Sequence, residues 1–132
     1  MVSILYIEDD ALNQRILTQV VRDYLHYPAP VIWEDTAHLE ERLKNLGETH
    51  FDLILVDLGI GPLDGVEALP YLRKHPPFAT SKIVAFTATL DDWQVWRMRQ
   101  AGFDGSLAKP LDISTLEEVL QTILKGQAVW QV

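Results

Sequence analysis

The stretch Phe51-Asp52-Leu53-Ile54-Leu55-Val56-Asp57 decides the fold. Four consecutive aliphatic residues, Leu53 to Val56, end abruptly on a carboxylate. An alternating run would mark a strand with one wet face. A short continuous run marks a strand covered on both faces, as in parallel sheets. Working outward, similar runs recur at Val2 to Ile7, Val31 to Trp33, Ile83 to Phe86 and, more weakly, Gly105 to Ala108. Helical spacing fills the intervals. Leu12, Ile16, Val20 and Tyr24 make one stripe, widened by Leu17, Val21 and Leu25. Leu39, Leu43 and Leu46 make a second, with Asp35 or Thr36 as N-cap and Gly47 as stop. Leu69 and Leu72 mark a third helix. Pro70 falls inside it, which predicts a late or irregular start near Pro70. Trp93, Trp96 and Ala101 mark a fourth, closed by Gly102. Ile113, Leu116, Leu120 and Ile123 mark a fifth, between Asp112 as N-cap and Gly126. The β-α unit occurs five times, which implies a parallel sheet with helices on both faces and right-handed crossovers. Gln127 to Val132 have no place in the pattern.

Composition narrows the function. A chain of 132 residues is one domain's worth. Eleven basic against 19 acidic side chains give a formal charge of −8, which argues against nucleic-acid binding. There is no cysteine, hence no disulfide, thiolate zinc site or thiol nucleophile. Hydrophobic residues make up 48%, which argues against global disorder. No apolar run approaches the ~18 residues of a membrane helix. Acids at Glu8, Asp9 and Asp10 come too early for a signal peptide. The expectation is a soluble, cytoplasmic, single-domain protein.

Ligands of open α/β sheets bind beyond the carboxyl ends of the strands. Glu8, Asp9 and Asp10 follow the first run, Asp57 the third, Thr87 and Ala88 the fourth, Lys109 and Pro110 the fifth. Glu8, Asp9 and Asp57 would bring about −3 into one crevice, and such charges stay ionised only if offset. Lys109 and an oxygen-seeking divalent cation, held as Mg²⁺ usually is by few carboxylates, would do so. A hydroxyl and an ammonium beside them could hold phosphoryl oxygens, with the central carboxylate as nucleophile towards phosphorus. Each residue alone has a plainer reading: acids after a strand often cap the next helix, Thr87 suits a turn, and Lys109 a solvated charge. The conjunction at four strand ends favours a site. Gly59, Gly61 and Gly65 faintly resemble a dinucleotide loop, but they follow the wrong strand. A dehalogenase-type phosphatase would want an acid where Gly59 stands. His26, His38, His50 and His75 show no ligand spacing.

The ordered set Ile4-Leu-Tyr-Ile-Glu8-Asp9-Asp10, Phe51 to Asp57, Leu63-Asp64-Gly65, Phe86-Thr87-Ala88, Ala101-Gly102 and Lys109-Pro110 resembles the receiver domain of two-component response regulators. The resemblance covers roughly residues 2 to 125. It implies a flavodoxin-like doubly wound sheet, five parallel strands in order 2-1-3-4-5 with five helices. It implies that Asp57 accepts phosphate from a histidine kinase or a histidine phosphotransfer protein. Glu8, Asp9, Asp57 and the main-chain carbonyl of Gly59 would hold Mg²⁺, while Thr87 and Lys109 meet the phosphoryl group. The Lys109-Pro110 bond is commonly cis in such domains. A receiver domain over 1–125 with a short tail, 126–132, and no output domain would signal through protein contacts or onward phosphotransfer. The fourth helix, fifth strand and fifth helix are the expected output face, on a monomer or weak homodimer.

Three departures from the family pattern stand out. The proline expected three residues after Leu58 is displaced by Gly61 to Pro62, which predicts a more mobile loop. Ser106 replaces the usual aromatic switch residue. Gly59 and Thr89, at positions that tune dephosphorylation, offer nothing to orient a water, which predicts slow self-removal of phosphate. Of Trp93 and Trp96, at least one is expected to pack on the sheet, the alternative being exposure as an interface anchor on the output face, with Val95 and Met98 on the other, partly exposed side of the helix. Trp130 could fold back, mediate dimerisation or lie loose. The competing reading is a receiver-like adaptor whose contacts ignore phosphate, and a small-molecule phosphotransferase or hydrolase has little support.

Overall fold

The computed structural model describes residues 1–88 and 91–131. Five strands, β1 (Ile4–Ile7), β2 (Val31–Trp33), β3 (Leu53–Val56), β4 (Lys82–Thr87) and β5 (Gly105–Ala108), form one parallel sheet in the order β2-β1-β3-β4-β5. The helices are α1 (Ala11–Gln19), α2 (Leu39–Leu46), α3 (Gly65–Lys74), α4 (Asp92–Ala101) and α5 (Ile113–Leu124). Strand pleating sends alternate side chains to opposite faces. Ile4, Tyr6, Leu53, Leu55, Val84 and Phe86 therefore join one core, with Leu17, Val20 and Val21 of the first helical segment and Leu116, Leu120 and Ile123 of α5. Leu5, Ile7, Ile54, Val56, Ile83 and Ala85 join a second, with Leu43, Leu69, Leu72 and Met98 of α2, α3 and α4. The continuous apolar runs are thus explained by two covered faces.

Four local expectations are corrected. First, α1 passes into a π-helical turn at Val20–Tyr24, and its inward side is Leu17, Val20, Val21 and Leu25. Leu12, Ile16 and Tyr24 are exposed. An i, i+4 stripe drifts about 40° per step on a helix of 3.6 residues per turn, so its two ends cannot both face a sheet. Second, α3 begins at Gly65, five residues before Pro70. Asp64 accepts from Glu67 N–H at 2.8 Å and Glu67 reciprocates to Asp64 N–H, a full capping box. That cap, with buried Ala68, Leu69 and Leu72, outweighs the roughly 3 kcal/mol cost of an interior proline. Third, Trp93 and Trp96 both lie outside, stacked with ring centroids 5.2 Å apart, while Met98 is fully buried and Val95 packs on the core. Two residues correspond to about 200° of helix, so one face excludes the other. Fourth, neither Asp35 nor Thr36 is the N-cap of α2; His38 holds that position.

Thr36 has another task. Its hydroxyl donates to Leu63 C=O (2.6 Å) and accepts from Leu63 N–H (2.7 Å), and its N–H donates to Gly61 C=O (3.0 Å). Thr36 thereby fastens the loop that carries Gly61 and Pro62, joined by a cis bond, on either side of Pro62. The segment without a place in the helical pattern also acquires one. The chain turns at Gly126 and runs back parallel to β5, pairing Ser106 with Trp130. Val129 packs on the first core and Trp130 on the second, so side chains alternate as in a strand. Trp130 has folded back, with the Arg99 guanidinium 5.2 Å from its ring.

Thr36→Val removes both hydroxyl bonds and leaves partly buried main-chain groups of Leu63 without these partners. It is expected to lower stability by about 1–3 kcal/mol in urea unfolding, and a wild-type midpoint would show that the clamp contributes nothing.

Candidate functional site

The strand order reverses between β1 and β3, and this switch point opens a crevice at their carboxyl ends. Past the end of β1, Glu8 N–H still donates to Trp33 C=O (2.9 Å), so the sheet fixes Glu8 and buries it completely. Asp57 N–H likewise donates to Ile7 C=O (3.1 Å), and Asp57 Oδ1 accepts from Gly59 N–H at 3.1 Å. Gly65 sets the depth of this floor: a Cβ there would lie 3.0 Å from Asp57 C=O, so α3 can start this close only on glycine. The acidic run divides its labour. Asp10 caps α1 by accepting from Asn13 N–H at 2.9 Å, and Glu8 and Asp9 remain for the crevice. One carboxylate oxygen from each of Glu8, Asp9 and Asp57 lies within 4.8 Å of the others.

Lys109 closes the nook from β5. Its N–H donates to Thr87 C=O at 3.0 Å. Its Nζ donates to Glu8 Oε1 at 2.5 Å and lies 3.5 Å from Asp57 Oδ2. The ring of Phe86, 5.1 Å from Nζ, lines the other side. Tyr6, two residues before Glu8 and on the same strand face, donates its hydroxyl to Glu8 Oε1 at 3.0 Å. Burial above all, then the adjacent Asp57, pushes the Glu8 carboxyl above the ordinary range, and Lys109 opposes this. Burial, then the Glu8 charge, likewise raises the Tyr6 phenol.

Glu8 Oε2 is buried and has no hydrogen-bond donor among the described residues. An unpaired buried carboxylate oxygen beside two further carboxylates is the donor set of a hard divalent cation. Such an ion would reverse the upward push on Glu8. The residues therefore fit Mg²⁺.

The expected residues are brought together in large part. Glu8, Asp9, Asp57 and Lys109 converge, Gly59 adjoins Asp57, and Thr87 ends β4 opposite Ala108. Ser106 is fully buried within β5 and hydrogen-bonds the C-terminal segment. Trp93 and Trp96 are remote on the outer side of α4. The expectation for Thr89 lies outside the described residues. Sequence reasoning missed Tyr6 as a site residue, although a phenol inside an otherwise aliphatic run was the available signal.

Residues 4–121 match the family model of the response regulator receiver domain, and the chain belongs to that family. It is 28% identical over 92 residues to the response regulator protein VraR of Staphylococcus aureus, a match covering 70% of this chain and 43% of VraR. The corresponding Staphylococcus epidermidis protein is 31% identical over 80 residues, 61% of this chain and 37% of its own length. The chain thus spans less than half of these relatives. Among solved structures, the chemotaxis protein CheY4 of Vibrio cholerae superposes with a TM-score of 0.79 at 21% identity, covering 93% of this chain and 98% of CheY4. The receiver domain of the sensor histidine kinase PA1611 from Pseudomonas aeruginosa, with a magnesium ion coordinated in its active-site cleft, gives 0.77 at 27% identity, covering 94% and 98%. The five-stranded order and five helices are those of this flavodoxin-like fold. No described helix is long and apolar enough to cross a membrane.

Glu8→Gln would keep an oxygen for Lys109 and Tyr6 and turn the unpaired Oε2 into an amide that can donate to Asp57. Without divalent metal this variant is expected to be more stable by about 1 kcal/mol or more, the scale of one unpaired buried acceptor. It should also lose most of the Mg²⁺-dependent rise in melting temperature. A destabilised variant that keeps the full magnesium response contradicts this account of the nook.

Proposed function

We propose that this domain is a phosphoacceptor of a His-Asp relay, modified on Asp57. The observation that carries the reading is the meeting of the Lys109 ammonium with Asp57 and fully buried Glu8, beside Asp9, at the switch point of the sheet. An isolated salt bridge would need one carboxylate. Two on the ammonium and a third, Asp9, grouped with them leave negative charge that a cation must offset.

Glu8, Asp9, Asp57 and the main-chain carbonyl of Gly59 would hold Mg²⁺, which when bound offsets the charge crowded around an incoming phosphoryl group. Asp57 supplies a carboxylate oxygen that forms the new O–P bond. The P–N bond to the donor's phosphohistidine breaks, and the histidine nitrogen keeps the electron pair. Lys109 moves its hydrogen bond from Glu8 to the phosphoryl oxygens, and the Thr87 hydroxyl donates to another. Phe86 faces this ammonium, and Tyr6 keeps its hydrogen bond to the Glu8 oxygen that Lys109 leaves. The chain promotes its own modification and turns over no external substrate. Gly59 has no side chain to orient a water, so the acyl phosphate is long-lived.

A histidine kinase or phosphotransfer protein would dock beside the nook. Leu12 and Ile16 of α1 and Ile113 of α5 are exposed there, next to a cleft lined by Lys109, Pro110 and Leu111. A downstream protein would use the face of α4, β5 and α5, with the stacked Trp93–Trp96 pair as its anchor. The domain acts in the cytoplasm, through protein contacts or onward phosphotransfer, as a monomer or weak homodimer.

Incubation with acetyl phosphate and Mg²⁺ should give one acid-stable, hydroxylamine-labile label, absent in Asp57→Asn. Lys109→Ala should slow labelling at least tenfold, about 1.4 kcal/mol of barrier. Undiminished labelling of Asp57→Asn overturns the proposal.

A further inference from the structure

Beyond the nook itself, we infer that Val129-Trp130-Gln131 is the coupling strand of this domain: it positions Lys109 through the end of β5, and its hold on β5 responds to phosphorylation. The inference rests on the reading of Asp57 as phosphoacceptor. Ser106 N–H donates to Val129 C=O at 2.9 Å, and Gln131 N–H donates to Ser106 C=O at 3.2 Å. The Ser106 hydroxyl donates to Gln131 C=O at 3.1 Å. The Gln131 side chain reaches one step further along β5, where its Oε1 accepts from Ala108 N–H at 3.0 Å. Four hydrogen bonds therefore fasten this segment to two residues of β5.

The second of those residues has a special place. Ala108 pairs with Thr87 across the β4–β5 ladder, and the next residue is Lys109, whose own N–H donates to Thr87 C=O. Both groups assigned to the phosphoryl oxygens, the Thr87 hydroxyl and the Lys109 ammonium, flank the one amide that Gln131 holds. Any movement of Thr87 or Lys109 towards a new phosphoryl group displaces Ala108, and Ala108 cannot move without stretching or breaking the bond to Gln131.

The strand is built to receive the segment. A Cβ on Gly105 would lie 2.7 Å from Val129 C=O and 3.0 Å from Ile123 Cδ1, so glycine is required here by the approach of the segment. Ser106, where an aromatic ring would be usual in the family, is completely buried. The ring in this region is that of Trp130, brought in from the neighbouring strand with Arg99 of α4 over it. Coupling of this kind is reciprocal. If phosphorylation changes the hold on the segment, weakening the segment must change the equilibrium at Asp57 by the same factor.

The test compares wild type with Gln131→Ala, which removes one side-chain bond, and Gly105→Ala, which pushes the segment off. Beryllofluoride with Mg²⁺ serves as the phosphoryl mimic, and its ¹⁹F resonance reports adduct formation independently of the segment. In wild type, amide exchange at Ser106, Ala108 and Gln131 should change about fivefold or more on adduct formation, the lower end of usual coupling. Exchange in β1 should stay constant. The beryllofluoride affinity should shift by about the same factor in Gly105→Ala, and by a smaller one in the same direction in Gln131→Ala. A purely structural segment would give lower protection in the variants with unchanged adduct affinity, and that result overturns the inference while leaving the phosphoacceptor reading intact. No adduct in wild type overturns that reading, and the coupling strand falls with it.

Discussion

A half-buried ammonium shared between carboxylates from different strands is the constraint on which the rest depends. Glu8 and Lys109 are 101 residues apart in sequence, yet Nζ and Oε1 are at contact distance. Lys109 follows β5 and Glu8 follows β1, with β3 and β4 between them. The ammonium passes over the Phe86 ring at the end of β4 and meets Asp57 at the end of β3. A slip of one residue in any intervening pairing would turn these side chains to the opposite face of the sheet. The two apolar layers thus do more than stabilise the fold: their strict alternation fixes the register on which the charges rely.

That arrangement works against the stability of the metal-free protein. Glu8 is completely buried, is pushed towards its protonated form, and has an oxygen without a donor among the described residues. A buried charge kept at such a cost is characteristic of a site rather than of a scaffold. The surroundings make it tolerable by rigidity. Tyr6 and Lys109 hold one oxygen of Glu8, Gly65 lets α3 press against the backbone of Asp57, and Thr36 ties the loop that follows.

Much of this was legible in the sequence because strand ends are marked twice, by the stop of an apolar run and by the polar residue after it. Leu53 to Val56 and Asp57 are the clearest instance, and the parallel order followed from repetition and family resemblance. The errors fall where a single position can serve two faces. Trp93 and Trp96 share a helical stripe as convincing as that of Val95 and Met98, and only the packed structure shows that the second pair joins the core with Ile83 and Ala85. Pro70 was weighed without the capping box before it. Thr36 read as a helix cap because its partner, Leu63, is 27 residues away. The C-terminal residues carry no periodicity over so short a length, and their pairing with β5 is visible only in three dimensions.

The returning segment also changes what the sheet offers to other chains. An open five-stranded sheet has two bare margins, each a template for unwanted ladder formation. Here the β5 margin is occupied at Ser106 and Ala108 by main-chain and amide partners. The opposite margin, β2, is only three residues long. Edge-to-edge aggregation is thereby discouraged at both sides, by a cover on one and by brevity on the other, and crowded acidic charge adds a further barrier to self-association.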